Sequence, residues 1–223
     1  MRHLPKAVLW DMDGTLVDTE PEWMAAEREF VEAFGGTWSD DHAMNLIGNP
    51  LLVSAEYIRT HGGVPMEPDE IVTALLDRMI ARLKENVRWQ IGARELLADL
   101  LRHNVPNALV TSSYRRMTEV VISALPPGTF GSTVSGDEVE QGKPHPEPYL
   151  RAAAELGVAP ADCVVIEDSA TGAASGLAAG ARVVLVPNIA TPDVARHVPG
   201  AVMLDSLAGV DARRLARAVS GLR

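Results

Sequence analysis

The stretch Val8-Leu9-Trp10-Asp11-Met12-Asp13-Gly14-Thr15-Leu16, VLWDMDGTL in one-letter code, decides the fold. An apolar run with the pattern of a buried strand stops at two carboxylates one residue apart. If strand alternation persists through the end of the run, Met12 points away and Asp11 and Asp13 face one side. Gly14 then permits a sharp departure, because glycine tolerates backbone conformations that other residues resist.

Further along the chain, Asn107 to Val110, Thr133 to Ser135, Cys163 to Ile166 and Arg182 to Val186 resemble Ala7 to Trp10. All are brief, apolar and bounded by Gly, Pro, Asp or Ser, as parallel strands buried on both faces should be. Between them Ala93 to Arg102, Met117 to Ala124, Pro146 to Leu156 and Gly172 to Ala179 read as helices. The alternation predicts a doubly wound, Rossmann-like α/β core with a parallel sheet. Strand signals vanish from Thr19 to about Arg88. There Thr19-Glu20-Pro21-Glu22 fits a capping box, followed by Trp23, Ala26, Phe30 and Phe34 at helical spacing. A second amphipathic helix runs from Pro68 to Glu85, with Ile71, Leu75, Met79 and Leu83 on one side. The expected organisation is a core of residues 1–18 and 89–223 with a helical cap, 19–88, inserted after the first strand.

Composition limits the function. The chain has 223 residues, 47% of them hydrophobic, enough for a sizeable core. A formal charge of -10 argues against a nucleic-acid or anionic-membrane surface. The single cysteine, Cys163, excludes an internal disulfide and sits in an apolar run, as a core residue would. The apolar stretch before Asp11 is too short for a signal peptide, and nothing approaches a membrane span. A cytoplasmic protein is expected, with no feature requiring more than a monomer.

Open parallel sheets bind ligands at the carboxyl ends of their strands. After the first strand come Asp11 and Asp13; after the next, Thr111-Ser112-Ser113; near the third, Lys143; after the fourth, Glu167 and Asp168. Clustered carboxylates repel unless a cation sits among them, and hard oxygen donors without His or Cys suit Mg²⁺. A lysine and hydroxyl or backbone donors complete a site for an anion. Each group also has a plainer reading. Thr111 to Ser113 serve equally as helix caps, Lys143 as a solvated loop lysine, Trp23 as core of the insert and Asn49 as a turn former. Asp18 and Thr19 are assigned to structure. Gly172, Gly176 and Gly180 do not spell G-x-G-x-x-G and are expected to serve close helix packing.

Four ordered motifs resemble the haloacid dehalogenase superfamily, in its helical-cap branch of phosphatases and β-phosphoglucomutase-like enzymes. They are Asp11-Met12-Asp13-Gly14-Thr15-Leu16-Val17-Asp18, Val110-Thr111-Ser112-Ser113, Gly142-Lys143-Pro144 and Ile166-Glu167-Asp168-Ser169. The resemblance implies that Asp11 attacks phosphorus to give an aspartyl-phosphate, and that Asp13 protonates the leaving alcohol and later deprotonates the hydrolytic water. It implies Mg²⁺ held by Asp11, the Asp13 main-chain carbonyl and Asp168, with Glu167 assisting directly or through water. Thr111, the Ser112 N–H and Lys143 are the implied phosphoryl ligands. The cap is expected to close over the site, hinging near Leu16 to Glu20 and Asn86 to Gly92. Glu20, Trp23 and Asn49 are its candidates for contact with the leaving group, that of a small phosphorylated metabolite such as a sugar phosphate.

Four other readings compete. A non-catalytic binding protein on this fold would be expected to have lost one of these groups, and here all remain. A phospho-accepting receiver domain has no place for the helical insert, and a dehalogenase would not need Asp13 or the Glu167-Asp168 corner. The phosphohexose mutases of this branch carry a cation soon after the cap-loop glycine, where Gly48 is here followed by Asn49, Pro50, Leu51 and Leu52. They also have a His where Trp23 falls and a Lys where Tyr114 falls. Hydrolysis is therefore expected, with a phosphosugar mutase using the same nucleophile as the alternative.

Overall fold

A computed structural model describes residues 4–188 and 198–221. Six parallel strands form one sheet: β1 (Ala7–Trp10), β2 (Asn107–Val110), β3 (Ser132–Val134), β4 (Cys163–Glu167), β5 (Arg182–Leu185) and β6 (Ala201–Met203). Their order is β3-β2-β1-β4-β5-β6. The helices are α1 (Glu20–Ala33), α2 (Asp40–Met44), α3 (Leu51–Gly62), α4 (Pro68–Glu85), α5 (Ala93–Arg102), α6 (Arg115–Ser123), α7 (Glu147–Glu155), α8 (Ala170–Ala178) and α9 (Ala212–Ala218). Thus the doubly wound reading holds. β3 starts one residue earlier than the sequence suggested, and the short, half-exposed edge strand β6 was not read, although Ala201-Val202-Met203 is an apolar run.

Alternation in β1 explains both its burial and the placement of the carboxylates. Val8, Trp10 and Met12 enter the apolar cluster shared with Leu96 and Leu100 of α5 and Leu215 of α9. Ala7 and Leu9 enter the cluster on the other face, with Tyr149, Ala152 and Ala153 of α7 and Ala173 of α8. The buried Trp10 indole donates to Asn107 Oδ1 at 2.9 Å, which satisfies its polar edge while tying β1 to β2. Trp10 lies level with Ile166 of β4, so Asp11 and Glu167 emerge side by side. The chain fills the sheet in one direction through β2 and β3 and in the other through β4 to β6. The crevice between β1 and β4 is therefore the switch point where such sheets bind ligands.

Helices α1 to α4 occupy the stretch between β1 and α5. In α4 the predicted stripe of Ile71, Leu75, Met79 and Leu83 is buried, and Glu67 with Glu70 forms the capping box. In α1 the sequence reading needs two corrections. Thr19 makes no side-chain cap; its hydroxyl donates instead to Asp13 Oδ1 at 2.7 Å. Phe34 lies beyond the helix and is 44% exposed, whereas the buried residues of α1 include Glu20 and Glu27. The two connections to the rest of the chain run antiparallel: Asp18 N–H donates to the Arg88 carbonyl at 2.8 Å and Gln90 N–H to the Leu16 carbonyl at 3.0 Å. Asp77 of α4 pairs with Arg116 of α6 at 2.6 Å across the junction.

Of the three spaced glycines, Gly176 packs closely against Val165 and Val183. Gly180 is corrected: with φ of +81° it ends α8 in the left-handed conformation. No helix among the described residues is long and apolar enough to cross a membrane.

Candidate active site

The deepest part of the crevice is built around one ammonium group. Lys143 Nζ donates to Asp11 Oδ1 at 2.7 Å, to Glu167 Oε1 at 2.7 Å and to the Val110 carbonyl at 2.9 Å, using all three of its protons. Glu167 is held from both sides. Its Oε1 also accepts from the Tyr149 hydroxyl at 2.7 Å, and Oε2 accepts from the Ser169 hydroxyl at 3.1 Å and the Asp168 N–H at 3.2 Å. Gly172 makes room for this arrangement: a Cβ there would stand 1.7 Å from Glu167 Oε1. Gly14 serves Asp168 in the same way. It has φ of +81°, and a Cβ on it would stand 2.2 Å from Asp168 Oδ2.

These carboxylates are short of compensation. Burial, and then the charge of Glu167, pushes Asp11 up to about 7 against the pull of Lys143. Burial, followed by Asp11 and Glu167, pushes Asp168 well above the usual carboxylate range. For Lys143 burial opposes the charged form, but Asp11 and Glu167 outweigh it and hold the ammonium above its ordinary value. Asp168 receives one long side-chain hydrogen bond, from Thr15 Oγ1 at 3.4 Å, and Asp11 Oδ2 takes none among the described residues. Oxygens of Asp11, Glu167 and Asp168 lie within 4.8 Å of one another. Three buried hard oxygen donors facing one lysine fit a divalent metal ion, which would supply the missing positive charge.

Asp13 is oriented by four donors. Its Oδ1 accepts from Thr19 Oγ1 at 2.7 Å and Trp23 Nε1 at 3.4 Å, and its Oδ2 accepts from Ser113 Oγ at 2.7 Å and Thr111 Oγ1 at 3.2 Å. Thr111 Oγ1 in turn accepts from the Ser113 N–H at 2.9 Å. Ser112 stands on the wall of the same cleft. The sequence reading placed Ser113 on this rim and Thr19 in the structural turn without giving either a part in holding Asp13, and it missed Tyr149. Ser113 was visible as the third hydroxyl of its run; Tyr149 lies within the apolar pattern of α7, where nothing marks it out.

A cleft of about 970 Å³, counting its open mouth, joins this rim to the helical insert. Glu20, Trp23 and Asn49, singled out from the sequence, all line it. The Asn49 amide also donates to the Asn45 carbonyl at 2.9 Å, as a turn former would. Burial, then the charges of Asp13 and Asp18, pushes Glu20 up to about 7. Glu27 lines the cleft as well, one helical turn beyond Trp23 and two beyond Glu20. Arg115 and Arg116, which follow Tyr114, are engaged elsewhere, with Glu138 and Asp77.

Residues 5–180 match the family model of haloacid dehalogenase-like hydrolases. The chain is 33% identical over 191 residues to the bifunctional riboflavin kinase/FMN phosphatase of Arabidopsis thaliana, an alignment covering 85% of this chain and 50% of that longer protein. It is 31% identical over 213 residues to hexitol phosphatase B of Escherichia coli K12, covering 94% and 96% of the two chains. Among solved structures, CbbY from Rhodobacter sphaeroides in complex with xylulose-(1,5)bisphosphate superposes with a TM-score of 0.86 at 26% identity, over 96% of this chain and 99% of that one.

Proposed function

The chain belongs to the haloacid dehalogenase-like hydrolases, and from that premise we propose that it is a phosphoric monoester hydrolase acting on small phosphorylated metabolites through an aspartyl-phosphate at Asp11. One observation carries the mechanism. Asp11 is buried, with Oδ1 fixed by Lys143 and Oδ2 without a hydrogen bond among the described residues, at the edge of a cleft large enough for a metabolite.

In this reading Asp11 Oδ2 attacks phosphorus, and Asp13, beside it, hands a proton to the leaving oxygen and later takes one from water. Thr19, Trp23, Thr111 and Ser113 fix the direction in which Asp13 works. The Ser112 N–H receives a phosphoryl oxygen, and Thr111 joins it when its single hydroxyl proton turns from Asp13 Oδ2 to the phosphoryl group. Lys143 acts chiefly through its charge, and Glu167, which accepts from five donors, anchors Lys143 and would assist the metal directly or through water. Asp11, Asp168 and the Asp13 carbonyl would hold Mg²⁺, which neutralises charge and orients the phosphoryl group. The helical insert, residues 19–88 in this division, excludes bulk water while the ester is bound.

Support for a phosphatase over a mutase comes from the cleft. Arg115 and Arg116 are paired away from it, and the Gly48 loop brings no cation. The net negative charge and buried free thiol of Cys163 suit a cytoplasmic setting. The test is phosphate release from a panel of small monoesters, with and without Mg²⁺. Metal-dependent release that Asp11→Asn abolishes is expected; release that survives the substitution refutes Asp11 as nucleophile.

A further inference from the structure

Glu27 has no part in the mechanism above, yet it is a carboxyl group 6% exposed on the wall of the cleft. Its compensation is poor. Trp38 Nε1 reaches Oε2 at 3.4 Å, and Oε1 accepts no hydrogen bond among the described residues. Buried polar groups are normally paired, and an acceptor left open beside a substrate cavity is available to a ligand. Spacing supports the same view: Glu20, Trp23 and Glu27 fall on one face of α1, and that face lines the cleft.

From these observations we infer that Glu27, with Glu20, forms a hydroxyl-binding subsite for the leaving group, selecting esters of neutral polyhydroxy compounds against substrates with a second anionic group. The inference rests on the phosphatase reading and narrows its substrate class. The wall contributed by residues 19–88, all of them described, includes two carboxyl groups and no Lys or Arg; Ser54 and Asn49 are its neutral polar members. The rest of that wall is largely apolar, with Met24, Leu46, Val72 and Leu75. A second phosphate or a carboxylate placed there would lose its water without meeting a cation, a loss no neutral contact offsets. A polyol loses less, and its hydroxyls both donate and accept. Lys143 offers no relief, because its protons are committed to Asp11, Glu167 and Val110.

The experiment compares kcat/KM of the Mg²⁺-loaded protein for fructose 6-phosphate, fructose 1,6-bisphosphate and phenyl phosphate, in the parent, Glu27→Leu and Glu27→Gln. The parent should prefer the monophosphate to the bisphosphate by roughly 100-fold or more, and to hydroxyl-free phenyl phosphate by a clear margin. Glu27→Leu should reduce the ratio of fructose 6-phosphate to phenyl phosphate about tenfold or more, and Glu27→Gln, which keeps a hydrogen-bonding head, should restore most of it. A bisphosphate used as well as the monophosphate overturns the inference, as does a ratio indifferent to Glu27→Leu. The parent's own preference decides the matter if a Glu27 variant does not fold. Release from none of the three esters defeats the phosphatase reading and this inference together; hydrolysis with the opposite preference defeats this inference alone.

Discussion

Two groups of buried carboxyls face each other across the cleft, and they are compensated differently. On the sheet side, Asp11 and Glu167 share a buried ammonium, and Asp168 lies within metal-binding distance of both. On the helical side, Glu20 and Glu27 have no cationic partner in the wall they share. Burial pushes Glu27 up to about 8, with the Trp38 hydrogen bond opposing and the charge of Glu20 adding to the rise. One residue type thus performs two tasks. On the sheet side Lys143, and a divalent metal ion when bound, would offset the burial that pushes Asp11 up; on the helical side nothing in the shared wall does, which suits Glu20 and Glu27 to hydrogen bonding with neutral partners.

Substitutions can break or sharpen this contrast. The largest effect belongs to Asp11→Asn, which should lower kcat by on the order of 10⁴-fold or more in single-turnover and steady-state assays, the scale of losing a covalent nucleophile. Lys143→Met comes next. It strands Asp11 and Glu167 as uncompensated buried charges, and breaking such a pair costs about 3–5 kcal/mol. At roughly 2–4 °C per kcal/mol for a chain of this size, calorimetry should record a fall in Tm of about 6–20 °C. A drop of a degree or two would mean that the sheet-side charges do not depend on the lysine.

Glu27 should behave in the opposite sense. Its pKa is raised on folding from the ordinary 4.5 to about 8, so the folded state holds the proton more tightly and its contribution to stability is lost as pH rises between those values. Glu27→Gln removes that dependence. Denaturant titrations should show the variant gaining on the parent from pH 5 to pH 9 by about 1–3 kcal/mol. An unchanged difference across that range would mean that Glu27 ionises freely in the fold. Thr19→Val should have the smallest effect, about a threefold to tenfold loss in kcat with Tm little altered, since it removes one hydrogen bond that directs Asp13.

The sequence revealed the sheet side of this contrast more fully than the helical side. Parallel strands buried on both faces are nearly continuous apolar runs, so Ala7 to Trp10 and Cys163 to Ile166 stood out, as did the polar residues that end them. Strand order also brings Asp11, Thr111 and Glu167 together almost automatically, since adjacent parallel strands end on the same rim. The helical side follows subtler rules. Glu27 carries an acid like its neighbours, and on a helix with exposed acids at Glu29 and Glu32 nothing local distinguishes it; burial comes from the packing of α1 against the other helices. Thr19 looked like a helix cap because Thr before a Pro-containing first turn usually is one. Competition from Asp13 for its hydroxyl appears only when the turn after β1 is folded. Lys143 was legible by its place in a motif, but its three-way commitment to Asp11, Glu167 and Val110 depends on a loop distant in sequence.

The central claim is covalent: the phosphoryl group rests on Asp11 during turnover. The most direct measurement is rapid acid quenching of the Mg²⁺-loaded protein during hydrolysis of fructose 6-phosphate, followed by borohydride reduction and peptide mass spectrometry. Reduction converts an acyl-phosphate of aspartate to homoserine. The account predicts homoserine at position 11, and none at position 13 or in a sample quenched before substrate is added. Turnover that leaves Asp11 unmodified, or homoserine found at another aspartate, would contradict it.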